Sequence, residues 1–200
     1  MESEVTAIAQ SAHHFLFAAI PVESWNDALS PWEAPAVWGK QGFGGNAGDT
    51  LRFLTEQVIP TLKRQFPLPE NVKIILGGYS LAGLFALWAA YELDCFSGII
   101  CCSGSLWFQD WDIYVKEHTL HSKCKIYLSL GGREEKTKNK VMARVGDRTR
   151  EQKKKLEKDP MAEQVFLEWN AGGHFADEGK RLAKGIRYLF HISQSGGNIK

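Results

Sequence analysis

Residues 72–91 (VKIILGGYSLAGLFALWAAY) constrain this chain more than any other stretch. Residues 72–76 are β-branched and apolar, which predicts a buried strand. Leu84, Leu87, Trp88 and Tyr91 then recur at i, i+3, i+4 and i+7, one face of a helix. Between them lies the segment from Gly77 to Gly83. A strand that runs straight into a helix leaves its turn residue strained, and small neighbours two positions either side are needed to avoid clashes. That is the physical content of the nucleophile elbow, G-x-S-x-G, with Gly78 before Ser80 and Ala82 in the last slot. The Ser80 hydroxyl is then raised above the sheet at a helix N-terminus, where free N–H groups favour developing negative charge. A bare G-x-S-x-[GA] arises by chance in about one chain in seven of this length, and serine is also a common helix N-cap. The strand before and the helix after favour a nucleophile.

The 200 residues predict one domain over 1–200, with 193–200 as a frayed tail. The net charge of +1 gives no electrostatic case for nucleic acid or an anionic membrane as partner. No apolar run has membrane-spanning length. The first five residues are acidic where a secretory signal is basic, and Cys95, Cys101, Cys102 and Cys124 lack C-x-x-C spacing. Both point to a cytoplasmic protein with free thiols and no metal site.

In chain order, the pattern predicts a short helix over 2–12 and a buried strand over 15–20, ended by Pro21. A long irregular loop over 21–48 follows, rich in Trp, Pro and Gly. A helix over 49–66 has Leu51, Leu54, Val58 and Leu62 on one face, with a kink or an early end expected at Pro60. After the elbow unit come strands over 96–102, 123–130 and 164–169. Helices over 110–118, 147–158 and 178–191 alternate with them. The 147–158 segment is charge-dense, with acidic residues interleaved, and predicts a solvated helix face rather than a basic patch. Strand–helix alternation of this kind implies an α/β fold with a mostly parallel sheet covered on both faces. Ligand sites in such sheets lie beyond the carboxyl ends of the strands.

A nucleophilic serine needs a base and a group that orients the base. In a fold with this elbow the order is Ser, acid, His. Of six histidines, His174 alone lies just after the last strand, in a glycine-rich loop. The acid should follow the strand ending at Leu130. Glu134 and Glu135 are the candidates, with Asp110, Asp112 and Asp177 behind them. An oxyanion would take the backbone N–H of Leu81 and a second from the loop after Ile20, near Val22 and Glu23. Trp25, Trp32, Tyr79 and Trp107 are candidate walls of a substrate pocket, although tryptophans equally pin loops to a core.

Residues 78–87 (GYSLAGLFAL), 103–107 (SGSLW) and 172–175 (GGHF) resemble the esterase branch of the α/β-hydrolase superfamily, which includes esterase D-like proteins and siderophore-ester hydrolases. Residues 25–32 (WNDALSPW) resemble a loop of small bacterial members. The resemblance runs over about 15–190. It implies Ser80 as nucleophile, His174 as base and Glu134 as the acid. It also implies a minimal or N-terminally shortened fold, whose exposed sheet edge would favour a homodimer. Relatives often have an acidic residue at the position of Gly132, and some work with a Ser–His pair alone. The expected activity is hydrolysis of a small-molecule carboxylic ester through an acyl-enzyme, with no cofactor. Acyl transfer at the same site and a catalytically silent binding scaffold are the alternatives.

Overall fold

A computed structural model of the protein describes residues 15–195, with side chains through Phe190. The helix expected over 2–12 and the end of the expected tail lie outside these residues.

Four strands form the central sheet: β3 (Ile75–Tyr79), β4 (Gly98–Cys102), β5 (Cys124–Gly131) and β6 (Ala162–Asn170). They lie side by side in that order, and every pair is parallel. The alternation of side chains along a strand assigns the two faces. Ile99, Cys101, Ile126 and Leu128 point into the larger core cluster, and Ile100, Cys102 and Tyr127 into a smaller one. Helices α4 (Leu81–Glu92), α5 (Trp111–Glu117) and α6 (Val145–Leu156) cover the larger face. Helix α7 (Glu178–Ser195) covers the other, with Leu189 buried and Leu182 and Ile186 packed beside it.

Before the sheet, the 21–48 stretch is not wholly irregular. It holds a helical turn, α1 (Trp25–Ala28), and a two-stranded antiparallel ribbon of β1 (Glu33–Ala34) and β2 (Phe43–Gly44). Trp32 pins the ribbon to the body. Its ring lies 5.7 Å from Phe108 and 5.3 Å from Tyr114, and its Nε1 donates to the Gln109 carbonyl.

The structure corrects several expectations. Residues 15–20 form no strand: they carry no regular structure, and Leu16 to Ile20 are exposed. An apolar run becomes a strand only where a neighbour pairs with its backbone, and β3 pairs with β4 alone. Phe15 instead rests on Phe190 of α7, ring centroids 4.9 Å apart. The elbow strand begins three residues later than the branched run suggested, and continues through Gly77 and Gly78 to Tyr79. Helix α4 is not amphipathic. Ten of its twelve residues are buried, as expected for a helix apolar all round and enclosed on every side. The kink or early end expected at Pro60 is replaced by a π-turn. Helix α2 (Ala47–Phe53) passes through Leu54–Val58 into α3 (Ile59–Gln65). The Ile59 N–H reaches back five residues to the Leu54 carbonyl, so the wider turn accommodates a proline that has no N–H. Residues 193–195 continue α7 instead of fraying.

Helix α6 is solvated on one side only. Gln152, on its buried side and 2% exposed, accepts from Trp111 Nε1 and donates to the Tyr91 hydroxyl, both at 3.0 Å. One amide thus satisfies a buried indole of α5 and a buried phenol of α4. Gln152→Leu keeps the volume but strands both partners. It is expected to cost on the order of 2–4 kcal/mol in urea unfolding; a loss within error of zero would remove this bridge from the list of stabilising contacts.

Candidate active site

The site begins where β3 meets α4. Ser80 has φ 59° and ψ −123°, a conformation that non-glycine residues rarely adopt. The surrounding chain holds it there. The Ser80 N–H donates to the Cys102 carbonyl at 3.0 Å and so extends the β3–β4 ladder. The Ser80 carbonyl accepts from Gly83 and Leu84 N–H groups, and so starts the helix. A Cβ on Gly78 would lie 2.3 Å from the Ala82 carbonyl oxygen, so only glycine fits there. Leu81 is the first helical residue, and its N–H has no acceptor one turn back.

His174 stands above Ser80, with Nε2 3.0 Å from Oγ. Its loop follows β6 and turns through Gly172 at φ +89°, a value natural only to glycine. The Tyr79 hydroxyl donates to the His174 carbonyl at 2.6 Å and fixes the loop from below.

Glu134 and Glu135 are adjacent on a 3₁₀ turn and point apart. Glu134 is buried, and its Oε2 lies 2.7 Å from His174 Nδ1. Glu135 instead pairs with Arg150 at 3.0 Å. Asp112 pairs with Arg148, and Asp177 with Lys180. Only Glu134 of these carboxylates meets the imidazole among the described residues. Burial alone would raise the Glu134 carboxyl. Hydrogen bonds from His174, the Gly131 N–H and the Ser103 hydroxyl outweigh it and hold the carboxyl below its ordinary range.

Arg181 was not singled out in the sequence. It is 1% exposed and lies on α7 one helical turn before the buried Gly185. Its Nη1 donates to Glu134 Oε1 at 2.9 Å, to Ser103 Oγ at 2.8 Å and to the Tyr79 hydroxyl at 2.9 Å. Its Nη2 donates to the carbonyls of Ala171 and Gly173, which bracket the turn before His174. The available signal was a cation at i with Gly185 and Leu189 at i+4 and i+8 of the packed stripe.

The remaining candidates are spread wider. Val22 packs against the larger core cluster, and the Glu23 side chain is exposed. Trp107 lines a cavity at the carboxyl edge of the sheet. The other three candidate walls do not line this cavity. Tyr79 belongs to the buried network under His174, Trp32 is part of the aromatic packing described above, and Trp25 is 45% exposed on α1. Among the described residues, the four cysteines are unpaired and no His, Cys, Asp or Glu group could hold a metal ion. No helix of these residues is long and apolar enough to cross a membrane.

A hydroxyl, an imidazole and a buried carboxylate in one hydrogen-bonded line can raise the nucleophilicity of the hydroxyl and return its proton to a leaving group. Comparison with known proteins gives this arrangement a family. The family model described as "Putative esterase" matches residues 6–177. Curated proteins give no match. Among solved structures, the siderophore hydrolase EstA from Aspergillus nidulans is 21% identical, with a TM-score of 0.71 over 86% of this chain and 70% of that one. An IroE-like serine hydrolase from Shewanella oneidensis is 20% identical, with a TM-score of 0.69 over 83% of this chain and 56% of that one. The BES protein from Bacillus cereus is 19% identical, with a TM-score of 0.62 over 87% of this chain and 66% of that one. The chain thus spans about half to 70% of the length of these structures, and at such identities the likeness is one of fold. The family match covers most of the sequence and agrees with that fold: the chain belongs to the family described as "Putative esterase" and has a shortened α/β-hydrolase fold.

Proposed function

We propose that the chain hydrolyses a small-molecule carboxylic ester through an acyl-enzyme on Ser80. The observation that carries this reading is the unbroken line from Ser80 Oγ through His174 to Glu134, at 3.0 and 2.7 Å. Ser80 Oγ attacks the ester carbonyl carbon while His174 Nε2 takes its proton. The tetrahedral oxyanion is held by the Leu81 N–H and by a backbone N–H of the Val22–Glu23 segment. Collapse expels the alcohol, which takes the proton from His174. Water then attacks the acyl carbonyl with His174 again as base, and releases the acid and Ser80. Glu134 stays ionised, fixes the imidazole tautomer and stabilises the imidazolium.

Two structural neighbours are siderophore hydrolases, so esters of that kind belong in a substrate panel beside simple alkyl and aryl esters. Acyl transfer to an alcohol or thiol would use the same residues, and product ratios with added acceptor separate the two.

Three outcomes are expected. Intact-mass analysis with a fluorophosphonate should give one adduct on the wild type and none on Ser80→Ala, with ester hydrolysis lost in step. A well-folded wild type that takes no label would make the chain a silent scaffold. The second concerns pH. Because the folded Glu134 carboxyl lies below its ordinary range, its stabilising contribution is full above that range and is lost as pH falls through the folded value. The urea midpoint of the wild type should therefore exceed that of Glu134→Gln at pH 7 and converge on it below about pH 4. A constant gap between the two would contradict the assignment. The third concerns Arg181 as a positioning residue. Arg181→Lys keeps the charge but cannot reach the acid and both loop carbonyls together. It should lower kcat by about a hundredfold with KM within a factor of about two, and raise the pH at which activity fails on the acid side. A loss of thermal stability with an unchanged pH profile would assign Arg181 to packing alone.

A further inference from the structure

A cavity of about 720 Å³ lies beside this site rather than in it. Its walls come from the β1–β2 ribbon, the loop after β4 and the loop after β5. The last two leave carboxyl ends of strands, as Ser80 does, so the cavity sits at the same sheet edge. One short turn joins the two places. Ser105 Oγ is 3.5 Å from Ser80 Oγ, and the Phe108 N–H donates to the Ser105 carbonyl at 2.9 Å. Trp107, two residues after Ser105, cannot have its Cα more than about 7 Å from that of Ser105. The wall of the cavity is therefore within reach of an ester held at Ser80.

The floor is aromatic: Phe43 meets Phe108 edge-on at 5.1 Å and Trp107 at 6.2 Å. Four further charged residues accompany Lys140 on the lining, and their pairing decides the local field. Arg148 is neutralised by Asp112 at 2.9 Å and by Glu151 at 2.8 Å. Among the described residues the Asp110 carboxylate accepts only from the neutral Gln109 amide. Lys140 and Arg144 pair with no carboxylate among the described residues. With Glu151 counted the three cations and three anions balance, so what the cavity offers an anion is not net charge but the placement of Lys140 and Arg144, the two cations without a carboxylate partner. The loop that carries them is anchored to the opposite wall, because Asn139 Nδ2 donates to the Val37 carbonyl at 2.7 Å. Asn139 Oδ1 also accepts from the Val141 and Met142 N–H groups, so the loop presents Lys140 from a built turn.

We infer that this cavity selects the substrate. It takes the far end of an ester that carries an aromatic ring and an acid group, with the ring against Trp107, Phe43 and Phe108 and the anion at Lys140 and Arg144. The volume suits such a group, since ligand cavities commonly run from about 300 to 1,000 Å³. This deepens the proposed hydrolysis and rests on it for its biological meaning, but the binding itself does not need Ser80 to react.

The test therefore starts with binding. Isothermal titration with naphthalene-2-carboxylate and with its neutral isostere, naphthalene-2-carboxamide, compares the anion with the ring alone. The carboxylate should bind the wild type about fivefold to tenfold more tightly, and the preference should shrink when salt is raised from about 50 mM to 500 mM. In Lys140→Ala/Arg144→Ala the two ligands should bind alike. Equal binding to the wild type, binding of neither, or a preference that survives in the double variant would overturn the inference. The second arm compares kcat/KM for 4-nitrophenyl hydrogen terephthalate and 4-nitrophenyl benzoate, esters with and without an acid at the far end of the ring, where it cannot reach the scissile carbonyl. Their ratio should exceed about five in the wild type and approach one in the double variant. If the carboxylate binds as expected while fluorophosphonate fails to label Ser80, the cavity stands and the proposed hydrolysis falls. If Ser80 is labelled and both ligands bind alike, the hydrolysis stands and the cavity assignment falls.

Discussion

The buried pair of Glu134 and Arg181 holds the rest of the site in place. Taking a carboxylate and a guanidinium out of water is costly unless each finds full compensation. Glu134 finds it: Oε1 accepts from Arg181 Nη1, the Gly131 N–H and the Ser103 hydroxyl, which leaves Oε2 free for His174. Arg181 spends Nη2 on the carbonyls before His174, while its buried Nε is left without a partner among the described residues. One ion pair thus joins the ends of β4 and β5, the loop after β6 and helix α7. The Glu134 carboxylate and the His174 loop are positioned by the same cation, so a displacement of either disturbs both.

The sheet makes this economical. Its four parallel strands run in sequence order, and each carboxyl end releases a loop onto one edge. Nothing needs to be brought across the fold. The elbow, the Ser103–Ser105 turn, the Glu134 turn and the His174 loop are neighbours because their strands are neighbours. The two faces are covered unequally: three helices and the aromatic packing around Trp111 lie on one, α7 on the other. The thinner side is where the charged pair sits, beneath a helix whose inner stripe carries Arg181, Gly185 and Leu189.

How far the sequence could be read follows from the range of the forces involved. The elbow is local. Its strand, its small residues and its helix are contiguous, so Ser80 was legible. His174 was legible from order and loop chemistry. The family resemblance singled out Glu134, but the residue pattern alone did not separate it from Glu135, because neighbours on one 3₁₀ turn differ in direction, not in composition, and the direction is set by Arg150 on one side and His174 on the other. Arg181 and Gln152 were invisible for a related reason: a polar residue in a helix reads as solvated until its buried partners are known. The 15–20 run failed the other way. Its apolar content is real, but a strand is a relation between two backbones, and this one lacks its neighbour among the described residues.

The distance in sequence between the parts of the site has a consequence for synthesis. Ser80 and His174 are 94 residues apart, and the cation that steadies them comes later still. At ribosomal speeds of about 5–20 residues per second, roughly 5–20 s separate the emergence of Ser80 from that of His174. The β3–α4–β4 unit can complete its own packing in that interval, while Glu134 emerges with no counter-charge to bury against. Until α7 emerges, the Ser80 hydroxyl has neither the His174 imidazole nor the Arg181–Glu134 pair beside it.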